Sequence, residues 1–131
     1  MNTVDVVCSI IFKSNKFLVE KRKLDEKIDP GLACFPAGHV NKNETKEQAL
    51  IREMKEELNI KVKKIKFVKK DFWIASNGEK QNLYYYLILD YDGEPRCSTA
   101  EELLWTENVE DLDTEVDRIV IKKIKNEKIK I

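Results

Sequence analysis

The chain is poor in glycine, proline and cysteine. Its 131 residues include only 4 Gly, 3 Pro and 3 Cys. No stretch is rich in Pro, Gly or Ser, and no segment repeats, so neither a linker nor a repeat architecture is indicated. With 42% hydrophobic residues, a chain of this length can bury a core without disulfide or metal support. We therefore expect one domain that covers residues 1–131.

The potential metal-binding and disulfide-forming residues are few and scattered. Cys8, Cys34 and Cys97 are odd in number, include no CxxC pair and are accompanied by a single histidine, His39. Neither a disulfide framework nor a zinc site is indicated by this spacing. The cysteines are expected to be small buried thiols.

Long apolar runs and an excess of one charge are also missing. No run approaches the about 20 residues of a membrane-spanning helix. Residues 1–12 have no basic leader, so they are predicted to form a strand and not a signal peptide. The 24 basic residues balance the 24 acidic ones, which argues against a membrane or nucleic-acid surface as the main partner. We expect a soluble cytoplasmic protein that acts on a small molecule, with no membrane partner and no stable nucleic-acid complex.

The hydrophobic pattern predicts an α+β chain. A turn at Ser14 and Asn15 suggests that the first two strands form a hairpin, and a second turn at residues 76–78 separates two long strands rich in β-branched and aromatic residues. A closing helix is expected over residues 116–125. The strands are predicted at residues 4–12, 16–22, 62–75, 81–91 and 101–105. Strands that flank one helix and precede another predict a mixed sheet between helices.

The first helix is the part of the chain with the clearest chemical pattern. Thr45 and Gln48 have the spacing of a capping box, so the helix should begin near Thr45 and end near Asn59. At about 100° per residue, four apolar residues share one arc and should face the core. They are Leu50, Ile51, Met54 and Leu58.

Glu53, Glu56 and Glu57 form a second arc beside the apolar one, with Arg52 next to Glu56. Like charges three and four residues apart each cost roughly 0.2–0.5 kcal/mol in an isolated helix. A solvated helix face is one interpretation of such acids. A second interpretation is a site for a hard divalent cation, because Mg²⁺ and Mn²⁺ prefer carboxylates, water and phosphate oxygens.

The stretch from residue 38 to residue 60 resembles the signature of the Nudix hydrolases. Asn43 and Asn59 stand where that family commonly has Gly, and Asn is one of the few other residues that enter the left-handed region readily. The matching positions are Gly38, Glu44, Arg52, Glu53, Met54, Glu56, Glu57 and Ile60.

The resemblance implies a Nudix-type α/β/α sandwich around a mixed β-sheet. It also implies Mg²⁺-dependent (or Mn²⁺-dependent) hydrolysis of a nucleoside diphosphate linked to another group. By resemblance Glu53, Glu56 and Glu57 are metal ligands together with the Gly38 carbonyl, and Arg52 orients a Glu by a charge-assisted bond.

The short single-domain form resembles the MutT-like branch of the family, which converts nucleoside triphosphates, including oxidised ones, to NMP and pyrophosphate. A nucleotide sugar, a dinucleotide or capped RNA remains an alternative substrate, and a non-catalytic nucleotide-binding module an alternative role. The chain is expected to be a monomer or a homodimer.

Several residues outside the first helix complete the predicted site. By resemblance, the general base is either a Glu of the first helix or a Glu on a later loop. Glu101 and Glu102 match the position of that loop. Lys21 and Arg22 end a strand that should point towards the phosphates, although a solvated strand end would look the same. Asp117 lies roughly where the MutT-like branch places a residue that hydrogen-bonds the purine edge. An exposed Asp in the first turn of a helix is the other interpretation.

Overall fold

A computed structural model describes residues 3–96, 100 and 102–127. The helices are α1 (Lys46–Leu58) and α2 (Glu115–Glu127), and a short 3-10 turn, Val109–Asp111, precedes α2. The strands are β1 (Val4–Ile10), β2 (Phe12–Lys13), β3 (Lys16–Lys21), β4 (Ala33–Cys34), β5 (Ala37–His39), β6 (Lys61–Ile74), β7 (Lys80–Asp92) and β8 (Glu102–Thr106).

The larger sheet is mixed and lies between the two helices. Its strand order is β5-β1-β7-β6, with β1 parallel to β7 and the other pairs antiparallel. Because side chains alternate along a strand, Val6, Cys8 and Ile10 of β1 join the core that contains α2. Val7, in contrast, joins the core beneath α1. The predicted α/β/α sandwich with a mixed sheet is confirmed.

The predicted first hairpin is only partly correct. Ser14 and Asn15 do form a tight turn with positive φ, but this turn joins the two-residue β2 to β3 in a second, antiparallel sheet. The predicted strand 4–12 is divided, because β1 ends at Ile10 and pairs with β5 and β7 in the larger sheet. A strand buried on both faces, as β1 is towards its end, belongs inside a sheet and not at its edge.

The predicted limits of α1 are confirmed by its caps. Gln48 N donates to Thr45 Oγ1 at 3.0 Å, and Thr45 N donates to Gln48 Oε1 at 2.9 Å. Asn59 adopts the left-handed conformation at the end of the helix, and Asn43 does so in the preceding loop. Both asparagines therefore supply the backbone conformation for which glycine is commonly used. Of the predicted apolar arc only Ile51 is not buried, being 46% exposed.

The described thiols follow the prediction of burial only in part. Cys8 is buried and Cys34 half-buried, and neither forms a disulfide; Cys97 lies outside the described residues. Burial raises the pKa of both thiols, so they are poor nucleophiles at neutral pH. In the described part of the chain, neither helix is both long and apolar enough to span a membrane.

Candidate active site

Arg52 is the centre of a network that joins α1 to the loop before it. Its Nε and one NH group donate to the two carboxylate oxygens of Glu44 at 2.7 and 2.9 Å. The other NH group donates to Glu53 at 2.8 Å and to Glu56 at 3.2 Å. A further bond reaches the backbone carbonyl of His39 at 3.0 Å. One guanidinium therefore fixes three carboxylates, since its planar donors match carboxylate geometry.

Glu44 holds this guanidinium in place. The two bonds from Arg52 and a bond from the backbone N–H of Asn41 keep the pKa of Glu44 at about 2. Hydrogen bonds to the charged form lower the pKa of an acid, so Glu44 is ionised at neutral pH. The same pairing raises the pKa of Arg52. Glu44 thus contacts the site through Arg52.

Glu57 has the opposite electrostatic environment. Burial is the main cause that raises its pKa, to about 7, and the nearby charge of Glu53 adds to the effect. The positive charge of Arg22 opposes the rise. Glu53 and Glu57 therefore lie close enough to repel one another, as the spacing of the acids on the helix predicted. A cation placed between these carboxylates would relieve the repulsion.

Gly38 of β5 lies directly against Glu53. A Cβ atom added to Gly38 would be 2.2 Å from Cδ and 2.4 Å from Oε2 of Glu53. No other residue type would leave room for the carboxylate in this position. The pairing of Val7 with Gly38 holds the glycine at the edge of the larger sheet, next to α1.

The donor set fits a hard divalent cation. Glu53, Glu56, Glu57 and the carbonyl of Gly38 offer oxygen atoms alone, the ligand type that Mg²⁺ and Mn²⁺ prefer. Within the described residues no three acidic, histidine or cysteine side chains form a ready-made metal cage. Arg52 donates hydrogen bonds to Glu53 and Glu56, so one oxygen of each of these carboxylates already has a partner. A complete cage is not required, since Mg²⁺ commonly keeps several waters and takes only one or two carboxylates plus substrate phosphates.

A cavity of ≈ 200 Å³ connects Glu53 and Glu57 with the α2 side of the sheet, whereas Glu56 is not part of its wall. Gly38, Glu53 and Glu57 line it, as do Arg22 and Asp117. Apolar side chains of β1 and β7 and a tryptophan of β6 supply other parts of the wall; they include Val6, Leu83 and Trp73. A cavity with an apolar wall and a few convergent charged groups is typical of a small-molecule site.

Asp117 is buried, so its interpretation as an exposed helix residue is wrong. Only 4% of its surface is accessible. Its Oδ1 accepts a 2.6 Å bond from the hydroxyl of Tyr85, and its Oδ2 accepts a 3.3 Å bond from the backbone N–H of Phe35. Burial raises the pKa of Asp117 to about 6, although these bonds oppose the rise. Each carboxylate oxygen can accept a second bond, so a role towards the nucleobase stays a prediction.

The remaining predicted residues divide into two groups. Arg22 lines the cavity, where its Nε donates to the carbonyl of Ile28 at 2.8 Å. Lys21 and Glu102 are exposed, face each other across β3 and β8, and are absent from the cavity wall. Glu101 lies outside the described residues. The proposed roles of Arg22 in phosphate binding and of Glu102 as a base remain predictions, and only Arg22 lies at the cavity.

Glu20 is a buried acid that the sequence reasoning missed. It is 3% exposed on β3, and burial together with the charge of Glu57 raises its pKa to about 8. The sequence carries only a weak signal, because Glu20 follows the apolar run Phe17-Leu18-Val19 and alternation along the strand places it on the same face as Leu18.

Comparison with known proteins decides the family. A model of the NUDIX domain matches residues 1–124. The chain belongs to the Nudix hydrolase family. This Nudix domain is 34% identical over 94 residues to the 8-oxo-dGTP diphosphatase of Buchnera aphidicola subsp. Schizaphis graminum (strain Sg). The matched segment covers 71% of this chain and 68% of that protein. It is 30% identical over 105 residues to the CTP pyrophosphohydrolase of Escherichia coli (strain K12), and the match covers 80% of this chain and 76% of that protein.

A solved structure supports the same branch of the family. The MutT NUDIX hydrolase from Burkholderia pseudomallei has a TM-score of 0.81 and 27% identity, with 95% of this chain and 99% of that chain covered. The predicted resemblance to MutT-like Nudix hydrolases is therefore confirmed, and this Nudix domain is an enzyme. Hydrolases of the family generally use a divalent metal, in agreement with the oxygen donors at Gly38 and on α1.

Replacement of Arg52 by Lys tests whether one planar guanidinium organises the acids of this Nudix domain. An ammonium group cannot form the two parallel bonds to Glu44 and also reach Glu53. We expect kcat/KM to fall by about 10- to 100-fold, as is typical when residues that orient metal ligands are changed. Arg118→Lys, the same change on α2, is the control and should keep full activity. Equal losses in the two variants would contradict the assignment.

Replacement of Glu20 by Gln tests the buried acid. The folded state of the wild type keeps a proton on Glu20 between the ordinary pKa of 4.5 and about 8, whereas the unfolded state has lost it. Wild-type stability should therefore fall across this window by about 1.4 kcal/mol per pH unit, within order of magnitude. Glu20→Gln removes this contribution of Glu20, while Glu57 and Asp117, whose pKa values are also raised, keep theirs.

We expect urea unfolding to show Glu20→Gln clearly more stable than wild type at about pH 9 and little different at about pH 5. The measurement is made with a chelator present, so that bound metal does not contribute. Glu110→Gln, which changes an exposed acid, is the control and should leave the pH profile of the wild type unaltered. A constant stability difference at both pH values would argue against a titrating Glu20.

Proposed function

We propose that this chain is a Mg²⁺-dependent pyrophosphohydrolase that converts a nucleoside triphosphate, such as an oxidised or non-standard dNTP, to NMP and pyrophosphate. The observation that carries the proposal is that Gly38, Glu53 and Glu57 line the same cavity as Asp117 on α2. One substrate could thus place its phosphates near the acidic groups and its base against Asp117 and the apolar side chains of the wall. The names of the two curated relatives, an 8-oxo-dGTP diphosphatase and a CTP pyrophosphohydrolase, support the same substrate class.

The acids in and beside the cavity make substrate and metal binding interdependent. Glu53, Glu56 and Glu57 would repel a polyphosphate, so the phosphates are expected to bind together with cations. When bound, Mg²⁺ neutralises charge on phosphoryl oxygens and lowers the pKa of a bound water. The residues of the chain hold this arrangement: Arg52 orients Glu53 and Glu56, and Gly38 leaves the space that Glu53 occupies.

Proton transfer has two candidate groups in the proposal. Glu57 lines the cavity, where its carboxylate could accept a proton from the attacking water. A cation bound beside it would lower its pKa from the value of about 7 that burial and Glu53 produce. Glu102 is the alternative base from the later position, and its exposed location on β8 would require a change of position to reach the cavity. Arg22 lies where a cation can contact the phosphates, and it already moderates the charge of Glu57.

A substrate panel tests the proposal. The purified chain is incubated with Mg²⁺ and, separately, 8-oxo-dGTP, dGTP, CTP, ADP-ribose, a dinucleoside polyphosphate and capped RNA. We expect release of NMP and pyrophosphate from at least one triphosphate, and loss of this activity on addition of EDTA. A clear preference for ADP-ribose, the dinucleotide or capped RNA would replace the triphosphate assignment. A wild-type chain that hydrolyses nothing but binds nucleotides would indicate a binding module.

A further inference from the structure

A loop of residues 23–32, here called the cavity loop, supplies one wall of the cavity. Ile28, Asp29 and Leu32 of this loop line it. At its base, Arg22 N donates to the carbonyl of Leu32 at 2.9 Å, and the Arg22 side chain donates to the carbonyl of Ile28 at 2.8 Å. These bonds fix the end of the loop near β3. They do not reach the far side of the cavity, where β6 turns into β7.

Asp29 makes the connection to that far side. Its Oδ1 accepts a 2.7 Å bond from the backbone N–H of Ser76, and its own N–H donates to Ser76 Oγ at 2.8 Å. Its Oδ2 accepts a 3.0 Å bond from the indole Nε1–H of Trp73. Three bonds from one residue thus join the cavity loop to the β6–β7 turn and to a side chain of the cavity wall. They link residues 44 to 47 positions apart in the chain.

The backbone of Asp29 matches this role. Its φ is +46°, in the left-handed region that Asp and Asn enter more readily than other residues with a side chain. This conformation lets the backbone N–H and the carboxylate both face the β6–β7 turn. Asn would keep the backbone conformation but would present an amide group to one of the two donors.

Trp73 is the side chain on which Asp29 acts. An indole has a single hydrogen-bond donor, and Asp29 occupies it. Trp73 therefore offers a ligand its ring surface and no polar atom. Trp73 lines the cavity together with Asp117, and stacking of a base on an aromatic ring contributes about 1–3 kcal/mol per base. A cavity of about 150 Å³ already accepts a benzene ring, so ≈ 200 Å³ leaves space for a planar heterocycle.

We propose that Asp29 is a positioning residue for the nucleoside half of the substrate: it fixes the ring of Trp73 and the cavity loop, so that Trp73 stacks on the base. The inference rests on the proposed nucleotide substrate but not on hydrolysis of it. It assigns Asp29 and Trp73 to nucleoside binding, separate from the acids that act on the phosphates.

The test compares nucleoside and phosphate binding in Asp29→Asn. Trp105→Phe provides the background, because Trp105 lies on β8 outside the cavity wall and its removal leaves Trp73 as the fluorescent reporter. Titrations use dGMP, CMP and, with Mg²⁺, inorganic pyrophosphate. We expect Asp29→Asn to raise the Kd of a nucleotide and the KM of the best triphosphate about tenfold. The kcat and the Kd of pyrophosphate should change by less than about twofold.

A double-mutant cycle shows whether Asp29 acts through Trp73. Trp73→Phe keeps a ring but removes the indole N–H, so Asp29→Asn should cost clearly less in that background. Because Trp73→Phe also removes the fluorescent reporter, the Kd values of dGMP and CMP in all four variants of the cycle are measured by isothermal titration calorimetry. Additive effects would overturn the inference. Equal weakening of nucleotide and pyrophosphate binding, or a fall in kcat at constant KM, would overturn it as well. If Asp29→Asn does not fold, Ser76→Ala, which removes one partner of Asp29, takes its place and should change KM and kcat in the same pattern.

The outcome is separable from that of the proposed function. A wild-type chain that binds dGMP or CMP but hydrolyses no triphosphate would contradict the proposed function, while the Kd ratio of Asp29→Asn to wild type would still support the role of Asp29. A wild-type chain that binds neither nucleotide, or an Asp29→Asn variant with unchanged nucleotide Kd, would contradict the role of Asp29.

Discussion

Glu57→Gln is expected to abolish turnover of the best triphosphate while the chain stays folded. A Gln at this position cannot supply negative charge to a divalent cation or accept a proton from water, and it removes one of the acids that repel each other on α1. Metal-assisted stabilisation of phosphoryl charge is worth several kcal/mol, so kcat/KM should fall by about a thousandfold or more. Steady-state kinetics at saturating Mg²⁺ and the thermal midpoint Tm are the measurements.

A second change on the same helix is the control for Glu57. Glu47 accepts a 3.0 Å bond from the hydroxyl of Tyr86 and lies outside the cavity wall. Glu47→Gln keeps an acceptor for that bond, so its activity should stay within about twofold of wild type. Retention of a tenth or more of the activity in Glu57→Gln would contradict the role of this acid. It would direct attention to Glu53 and Glu102 instead.

Local patterns explain why the limits of α1 and the positions of its acids were predictable. The limits of α1 depend on the pairing of Thr45 with Gln48 and on the conformation of Asn59, all within the helix and its ends. The position of Glu53 and Glu57 on one side of that helix follows from about 100° of rotation per residue. Arg52 contacts Glu53 and Glu56 because it is one and four residues away from them.

The contacts between distant parts of the chain could not be predicted in this way. Asp117 is buried because Tyr85, on another element, donates to it, and nothing in the helix pattern of α2 indicated this partner. Asp29 pairs with Trp73, 44 positions away, through a turn and a loop whose geometry depends on the completed sheet. The assignment of β1 and β2 to different sheets likewise could not be predicted, because it depends on which sheet buries both faces of β1. Such pairings are decided by the assembled fold and leave little trace in local spacing.

Gly38→Ala is expected to reduce kcat/KM by about a hundredfold, because an added Cβ would be 2.2 Å from Cδ of Glu53. The Glu53 side chain can rotate away, but it then leaves its 2.8 Å bond to Arg52, and displacement of a site group by about 1 Å is sufficient for a loss of this size. Gly78→Ala gives the opposite pattern. No atom lies within 4 Å of its added Cβ, but its φ is +88°, so stability should fall by roughly 1 kcal/mol with kcat kept.

A double-mutant cycle with Glu53→Ala identifies the cause of the Gly38→Ala effect. Glu53→Ala removes the atoms that the new Cβ would contact, although it is itself expected to be inactive. If the clash with Glu53 is the cause, Gly38→Ala lowers Tm in the wild-type background and has little effect on Tm when Glu53 is Ala. An equal loss of Tm in both backgrounds would instead place the strain in the backbone of β5. The cycle thus tests, without an assay of activity, whether glycine is required at position 38 because a carboxylate occupies the space of its side chain.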